Sequence, residues 1–389
     1  MTNPQFARRF YIISLVLLAL IAVFDRVVDP FWYYRDIEIN GFNQIKPKFR
    51  RYERHIKPAL LEREQANAII LGSSFSEIGF DPTNPVFTKH NQLRSMNFAL
   101  AGASWGLVQC SFEFALAHAP IKRVLVGFHP RAMPIVDCQK EFPKLGQISP
   151  GELLLSSRAI SAAVQTVFEQ HENPSHTKEG MYFYIRGQAG IDKQFRAFFS
   201  DRVKGKPRCL QAVSTPNLAV TAPASQHDLS GLQRMMASAQ AHGVELVLFA
   251  YPSHALSLEL GLQCGEVQER WQALAQIAGL LEQPYAQSTR VWHFYGYNPW
   301  TGEAITSATA RYWQDPEHFN FEMGDKLLAD MFDNQLPQPL LGHRLSAAST
   351  HADYQQFLQG REQYLRQHPE FHGELNKLLG ICPEANASC

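Results

Sequence analysis

Apolar and polar positions along this chain fall into two alternating rhythms. Compact apolar runs of strand length occur at "NAIILG" (67–72), "SMNFALAG" (95–102), "KRVLVGF" (122–128), "GVELVLFAYP" (243–252) and "STRVWHFYG" (288–296). The last alternates, with Val291, His293 and Tyr295 on one side and Trp292 and Phe294 on the other. Between the runs the apolar period lengthens to that of a helix, in "SWGLVQCSFEFALAHAP" and "EVQERWQALAQIAGLL". "DLSGLQRMMASAQAHG" reads as a helix closed by a glycine. Strand–helix alternation of this kind predicts an α/β fold, a parallel sheet covered by helices on both faces. In such sheets reactive groups collect at the carboxyl ends of the strands.

Two regions depart from this rhythm. "FYIISLVLLALIAVF" (10–24) is uniformly apolar, follows Arg8 and Arg9, and meets Asp25, Arg26 and Asp29. Extended to Val28 it approaches the ~20 residues that cross a bilayer, and no small-x-small cleavage site ends it. An uncleaved anchor fits better than a cleaved signal. Trp32, Tyr33 and Tyr34 then fall where an interfacial aromatic belt belongs, and the leading arginines predict a cytoplasmic N-terminus. The second departure, about 136–225, reads as an insertion suited to a lid or cleft wall. The expected organisation is a tail (1–9), an anchor (10–28), a membrane-proximal arm (29–66), an α/β domain (67–335) and a C-terminal helical tail (336–389).

Composition narrows the partners. Lys+Arg and Asp+Glu balance at 36 each without a long basic run, which argues against nucleic acid. The six cysteines suit an oxidising compartment, and none forms the CxxC pair of a zinc site. Cys382 with Cys389 and Cys138 with Cys209 are conceivable disulfides, with six buried thiols as the alternative. No GxGxxG, P-loop or HExxH motif occurs, so neither a cofactor nor a metal is expected.

Candidate chemistry sits at two places. In "AIILGSSFSEIGFDP" an apolar strand runs into Gly72, leaving Ser73 and Ser74 at its carboxyl end, although serine at such a position also caps helices. In "RYWQDPEHFNFEMGDKLLADMF" Asp315 and His318 lie three apart before a helix with Phe321, Leu327, Leu328, Met331 and Phe332 as its apolar face. A carboxylate so placed can hold the Nδ1 proton and leave Nε2 free as a base. His254, in "YPSHA", ends the fourth strand on the same sheet edge and is a candidate substrate contact or second base. Trp105, Trp292, Trp300 and Trp313 are candidate sugar-stacking rings, with core packing as the simpler role.

A serine after the first strand and Asp-x-x-His after the last resemble the SGNH, or GDSL-like, superfamily of hydrolases and acyltransferases. "NFALAG" matches the second block with Asn97 and Gly102, and "GFHP" stands at the third with His129 where the family has asparagine. The resemblance implies a three-layer sandwich around a mostly parallel five-stranded sheet. It implies Ser74 as nucleophile, His318 as base and Asp315 as its orienter. Gly102, the Ser74 N–H and a rebuilt donor at His129 would hold the oxyanion, with Asn97 beside the substrate. With the anchor, the chain is most similar to bacterial extracytoplasmic proteins linked to O-acylation of exported polysaccharides. That resemblance implies a single-pass inner-membrane protein with a periplasmic domain, a glycan substrate and a membrane-bound acyltransferase as a possible partner. A non-catalytic scaffold is the other reading.

Overall fold

A computed structural model describes residues 4–88, 93–171, 173–183, 191–204, 209, 225–305, 310–332 and 340–381. Each of the five apolar runs supplies a strand: β1 (Ala68–Leu71), β2 (Ser95–Asn97), β3 (Arg123–Phe128), β4 (Glu245–Ala250) and β5 (Thr289–His293). They pair in parallel in the order β2-β1-β3-β4-β5. The sheet has six strands rather than five. A two-residue β6 (His343–Arg344) pairs antiparallel with β5, and an element that short has no period to read.

Alternate residues of each strand feed two apolar layers. Ile69, Leu71, Val124, Val126, Leu246, Leu248 and Val291 face the helices Phe49–Glu64, Trp105–His118, Ser230–Ala241 and Glu266–Leu280. Ala68, Ile70, Leu125, Val247, Phe249 and Trp292 face the helix Phe321–Phe332 on the other side. Burial on both faces explains why the strands read as continuous apolar runs. The chain steps from β1 outward to β2 and then back across β1 to β3. The carboxyl ends of β1 and β3 therefore diverge, opening a crevice at the point where the winding reverses.

The helix Pro4–Val28 is the one helix among the described residues long and apolar enough to cross a membrane. It ends where the Asp29 carboxylate accepts the N–H groups of Tyr33, Tyr34 and Arg35. Trp32 departs from the expected aromatic belt. It is 8% exposed and packs on Phe49, so its ring belongs to the core.

The described helices of the segment 136–225 are packed against other elements. The helices Pro150–Leu155 and Ser157–Phe168 pack along Pro4–Val28, and Ile191–Val203 shares an apolar cluster with the C-terminal helix Phe371–Leu379. The preceding helix, Thr350–Gln367, docks through Phe357 and through Arg361, which grips the buried Glu259 at 2.7 and 2.6 Å. The cysteine pairing differs from the one considered. Cys138 bonds Cys110, which the Trp105–His118 helix presents to it, and Cys209 bonds Cys264. Cys382 and Cys389 lie outside the described residues.

Candidate active site

The turn after β1 is built around Gly72. Its φ of +141° is one that L side chains rarely adopt, and a Cβ there would lie 2.3 Å from both Ser76 Oγ and Tyr251 Oη. Ser73 is extended and Ser74 opens the short helix Ser74–Gly79. Tyr251, just past the end of β4, accepts the Ser73 N–H at 3.0 Å and shares a 3.0 Å hydrogen bond with Ser76 Oγ. The turn is thus clamped from the neighbouring strand.

The Asp315–His318 segment is a narrow hairpin. The Gln314 N–H donates to the His318 carbonyl at 2.8 Å and the Asn320 N–H to the Tyr312 carbonyl at 2.9 Å. The following helix, Phe321–Phe332, crosses the Ser74–Gly79 helix at Gly79 and Gly324. A Cβ on Gly324 would come 1.6 Å from the Gly79 carbonyl oxygen, so only glycine allows this approach. That crossing carries the hairpin over the end of β1.

The three side chains then meet. Ser74 Oγ lies 2.8 Å from His318 Nε2, and His318 Nδ1 lies 2.8 and 3.0 Å from the two Asp315 oxygens. Asp315 Oδ1 also accepts the backbone N–H groups of Glu317 and His318, at 3.0 and 2.9 Å. Burial alone would raise the Asp315 carboxyl, but His318 and these two N–H groups overcome it and hold it below the usual range. An ionised Asp315 only accepts, so the imidazole proton belongs on Nδ1 and the Nε2 lone pair faces the serine. Phe75 stacks on His318 with centroids 4.2 Å apart, fixing the ring plane. The arrangement has what an activated oxygen nucleophile needs: a base within reach and a carboxylate behind the base.

The remaining sequence candidates go elsewhere. Asn97 was expected beside the substrate. It is fully buried, and its amide donates to the carbonyls of Ser76, Glu77 and Phe80 at 3.0, 3.2 and 3.0 Å, pinning the helix Ser74–Gly79. His254, expected as a contact or second base, is a buried helix cap. Its Nδ1 accepts from Leu256 N–H and its Nε2 meets the Glu303 carbonyl at 2.9 Å. Burial pushes it down to about 4, so both ring nitrogens are occupied in the neutral form. Its backbone N–H bonds the Pro316 carbonyl at 3.0 Å, tying the end of β4 to the triad hairpin.

Gly102 sits exposed in the left-handed region, in the loop whose Ala101 carbonyl is held by Arg54. His129 lies half-buried after β3, edge-on to the rings of Phe75 and Tyr251, each 4.9 Å away. Among the tryptophans, Trp292 and Trp313 are core, and Phe321 of the following helix is 41% exposed rather than part of its apolar face. Tyr251 and Phe75 were missed, although both stand directly beside motif residues. Among the described residues Glu53, Glu77 and His176 also offer three ligand atoms within 4.8 Å of one another, but the Lys57 ammonium already sits on Glu77 at 2.6 Å and supplies the positive charge there. No family model, curated protein or solved structure matches the chain.

Proposed function

We propose that this chain is a membrane-anchored serine esterase or O-acyltransferase of the SGNH type, with a three-layer α/β domain outside the cytoplasmic membrane and an exported glycan as substrate. The observation that carries this reading is the unbroken chain Ser74 Oγ to His318 Nε2 and His318 Nδ1 to Asp315. In it Ser74 attacks an ester carbonyl while His318 takes its proton. The oxyanion is held by N–H groups at Ser74 and Gly102, and His318 returns the proton to the leaving alcohol. Water or a sugar hydroxyl then releases the acyl group, which separates hydrolase from transferase. The test is labelling of the full chain in detergent with a fluorophosphonate, together with turnover of an acetyl ester. Labelling and turnover that disappear in Ser74→Ala support the reading, and their absence from the unmodified chain overturns it.

One observation favours a scaffold that presents glycan to a membrane acyltransferase. His129 stands at the expected third oxyanion position, yet its contacts are aromatic rings rather than the Ser74 hydroxyl. Glycan binding without any Ser74-dependent chemistry would be its signature.

A further inference from the structure

Beside the triad opens a cleft of about 360 Å³. Phe75, next to Ser74 in the chain, and Glu317, next to His318, are among its lining residues, so it adjoins the Ser74–His318 pair. His129 forms part of the wall, and three arginines, Arg131, Arg202 and Arg270, face the space.

The three are not equivalent. Arg202 is neutralised: it bonds Glu266 and Glu317, the latter at 3.0 Å. Arg270, half-buried in the first turn of Glu266–Leu280, has no carboxylate within salt-bridge distance among the described residues. Ser253 Oγ, which itself donates to Glu317, lies 3.4 Å from it, the Tyr295 hydroxyl is a second side-chain partner, and the Glu317 and Glu266 charges act on it from farther off. Arg131, exposed on the loop after β3, likewise has no ion pair there. Three arginines and three carboxylates line the cleft, so its formal charge is balanced; what sets Arg131 and Arg270 apart is that neither has a carboxylate within ion-pair distance among the described residues. Glu266 and Glu317 are held by Arg202, and Glu269 is exposed on the rim.

A guanidinium carries five N–H donors in a planar fork, more than Ser253 and Tyr295 together can accept. Burial first, then Arg270, Arg131, His318 and Arg202, push the His129 imidazole on the cleft wall down.

We infer that Arg131 and Arg270 form an anion subsite that binds a carboxylate or phosphate group on the substrate, one residue or so away from the ester presented to Ser74. This rests on the esterase or acyltransferase reading above and adds to it a substrate class, an acyl ester on an anionic molecule. The fork geometry of Arg270 suits a bidentate oxyanion. Arg131, being exposed, contributes mainly attraction that salt screens.

The experiment compares three acetylated glycosides with the same ester position: a neutral hexoside, the matching uronate and the matching sugar phosphate. The full chain in detergent is expected to favour one or both anions over the neutral ester in kcat/KM by about tenfold at low ionic strength. The preference should shrink as salt rises and fall severalfold in Arg131→Gln and in Arg270→Gln. Arg131→Gln changes an exposed residue and serves if Arg270→Gln fails to fold. Which anion is preferred separates the carboxylate from the phosphate source. Equal kcat/KM for all three esters at low salt, or a preference kept by both variants, overturns the subsite.

Binding of the non-acetylated uronate and phosphate glycosides to the Ser74→Ala chain, measured by calorimetry, judges the subsite without chemistry. Arginine-dependent anion binding with no turnover in the unmodified chain would retain the subsite and sink the esterase reading. Turnover without charge preference would do the reverse.

Discussion

Asp315 is the residue on which the candidate chemistry leans most, because it sets which imidazole nitrogen is free. It is 1% exposed and accepts from His318 Nδ1 and two backbone N–H groups. Asp315→Asn keeps the shape but can present its N–H₂ to the ring and favour the wrong tautomer. The expected loss in Ser74-dependent ester turnover is about 10³–10⁴-fold with little change in folding, checked by steady-state kinetics beside circular dichroism.

His254 makes a prediction about acid. Its folded value of about 4 lies below the ordinary 6.5, so between those pH values the unfolded chain binds more protons than the folded one. Stability from this group is therefore full above pH 6.5 and is lost as pH falls toward 4, by at most about 3 kcal/mol. Urea melts from pH 7 to pH 4 should show that slope, and His254→Asn, which keeps a capping side chain, should flatten it. An unchanged slope would remove His254 from the account.

At the scale of elements, the helix Phe49–Glu64 does more than link the apolar N-terminal helix to the sheet. Within one turn, Glu53 accepts the Ala101 N–H at 3.1 Å and Arg54 holds the Ala101 carbonyl at 2.9 Å. Lys57 donates to both Glu77 and the Ala99 carbonyl at 2.6 Å. The helix thereby fixes the loop that carries Gly102 and, through Glu77, the helix that carries Ser74. Burial works to raise Glu77, but Lys57 and His176 overcome it and hold the carboxyl below the ordinary range. The pair's stabilisation is thus present above about pH 4.5 and lost in stronger acid. Lys57→Met strands a fully buried carboxylate and should destabilise the fold by about 3–5 kcal/mol. Adding Glu77→Leu should recover a large part of that loss in chemical denaturation. A single variant as stable as the parent would show that the pair holds nothing in place.

For the whole molecule, the helix Pro4–Val28 decides how the chain can be handled. Its apolar side chains from Phe6 to Val23 are largely exposed, while Asp25 and Val28 are buried against the folded domain. The stretch before Asp25 is the more exposed part of the helix. Deleting residues 1–24 is expected to release the protein from membranes washed with high salt or alkali, while the full chain stays in the pellet. Equal partitioning of both forms would remove the anchor reading. The same helix packs along Pro150–Leu155 and Ser157–Phe168.

Much of this was legible without a fold. The five parallel strands, the main helices between them, the apolar N-terminal helix and the candidates Ser74, Asp315 and His318 all follow from short-range signals: run length, period and spacing. Burial on both faces writes itself into sequence as uninterrupted apolar residues, and a turn at Gly72 announces the serine behind it. What tertiary structure alone decided are contacts between residues far apart in the chain, for which no period exists. Asn97 and His254 became buried struts because their polar atoms had to meet backbone groups brought in by packing. Cys138 paired with Cys110 because a helix presented one to the other. Arg131 and Arg270 acquired a shared cleft only when the loop after β3 and the helix Glu266–Leu280 came to line the same space. Ser74, Asp315 and His318 were visible as types in an order. Their 2.8 Å contacts exist because two glycines, Gly79 and Gly324, let two helices touch.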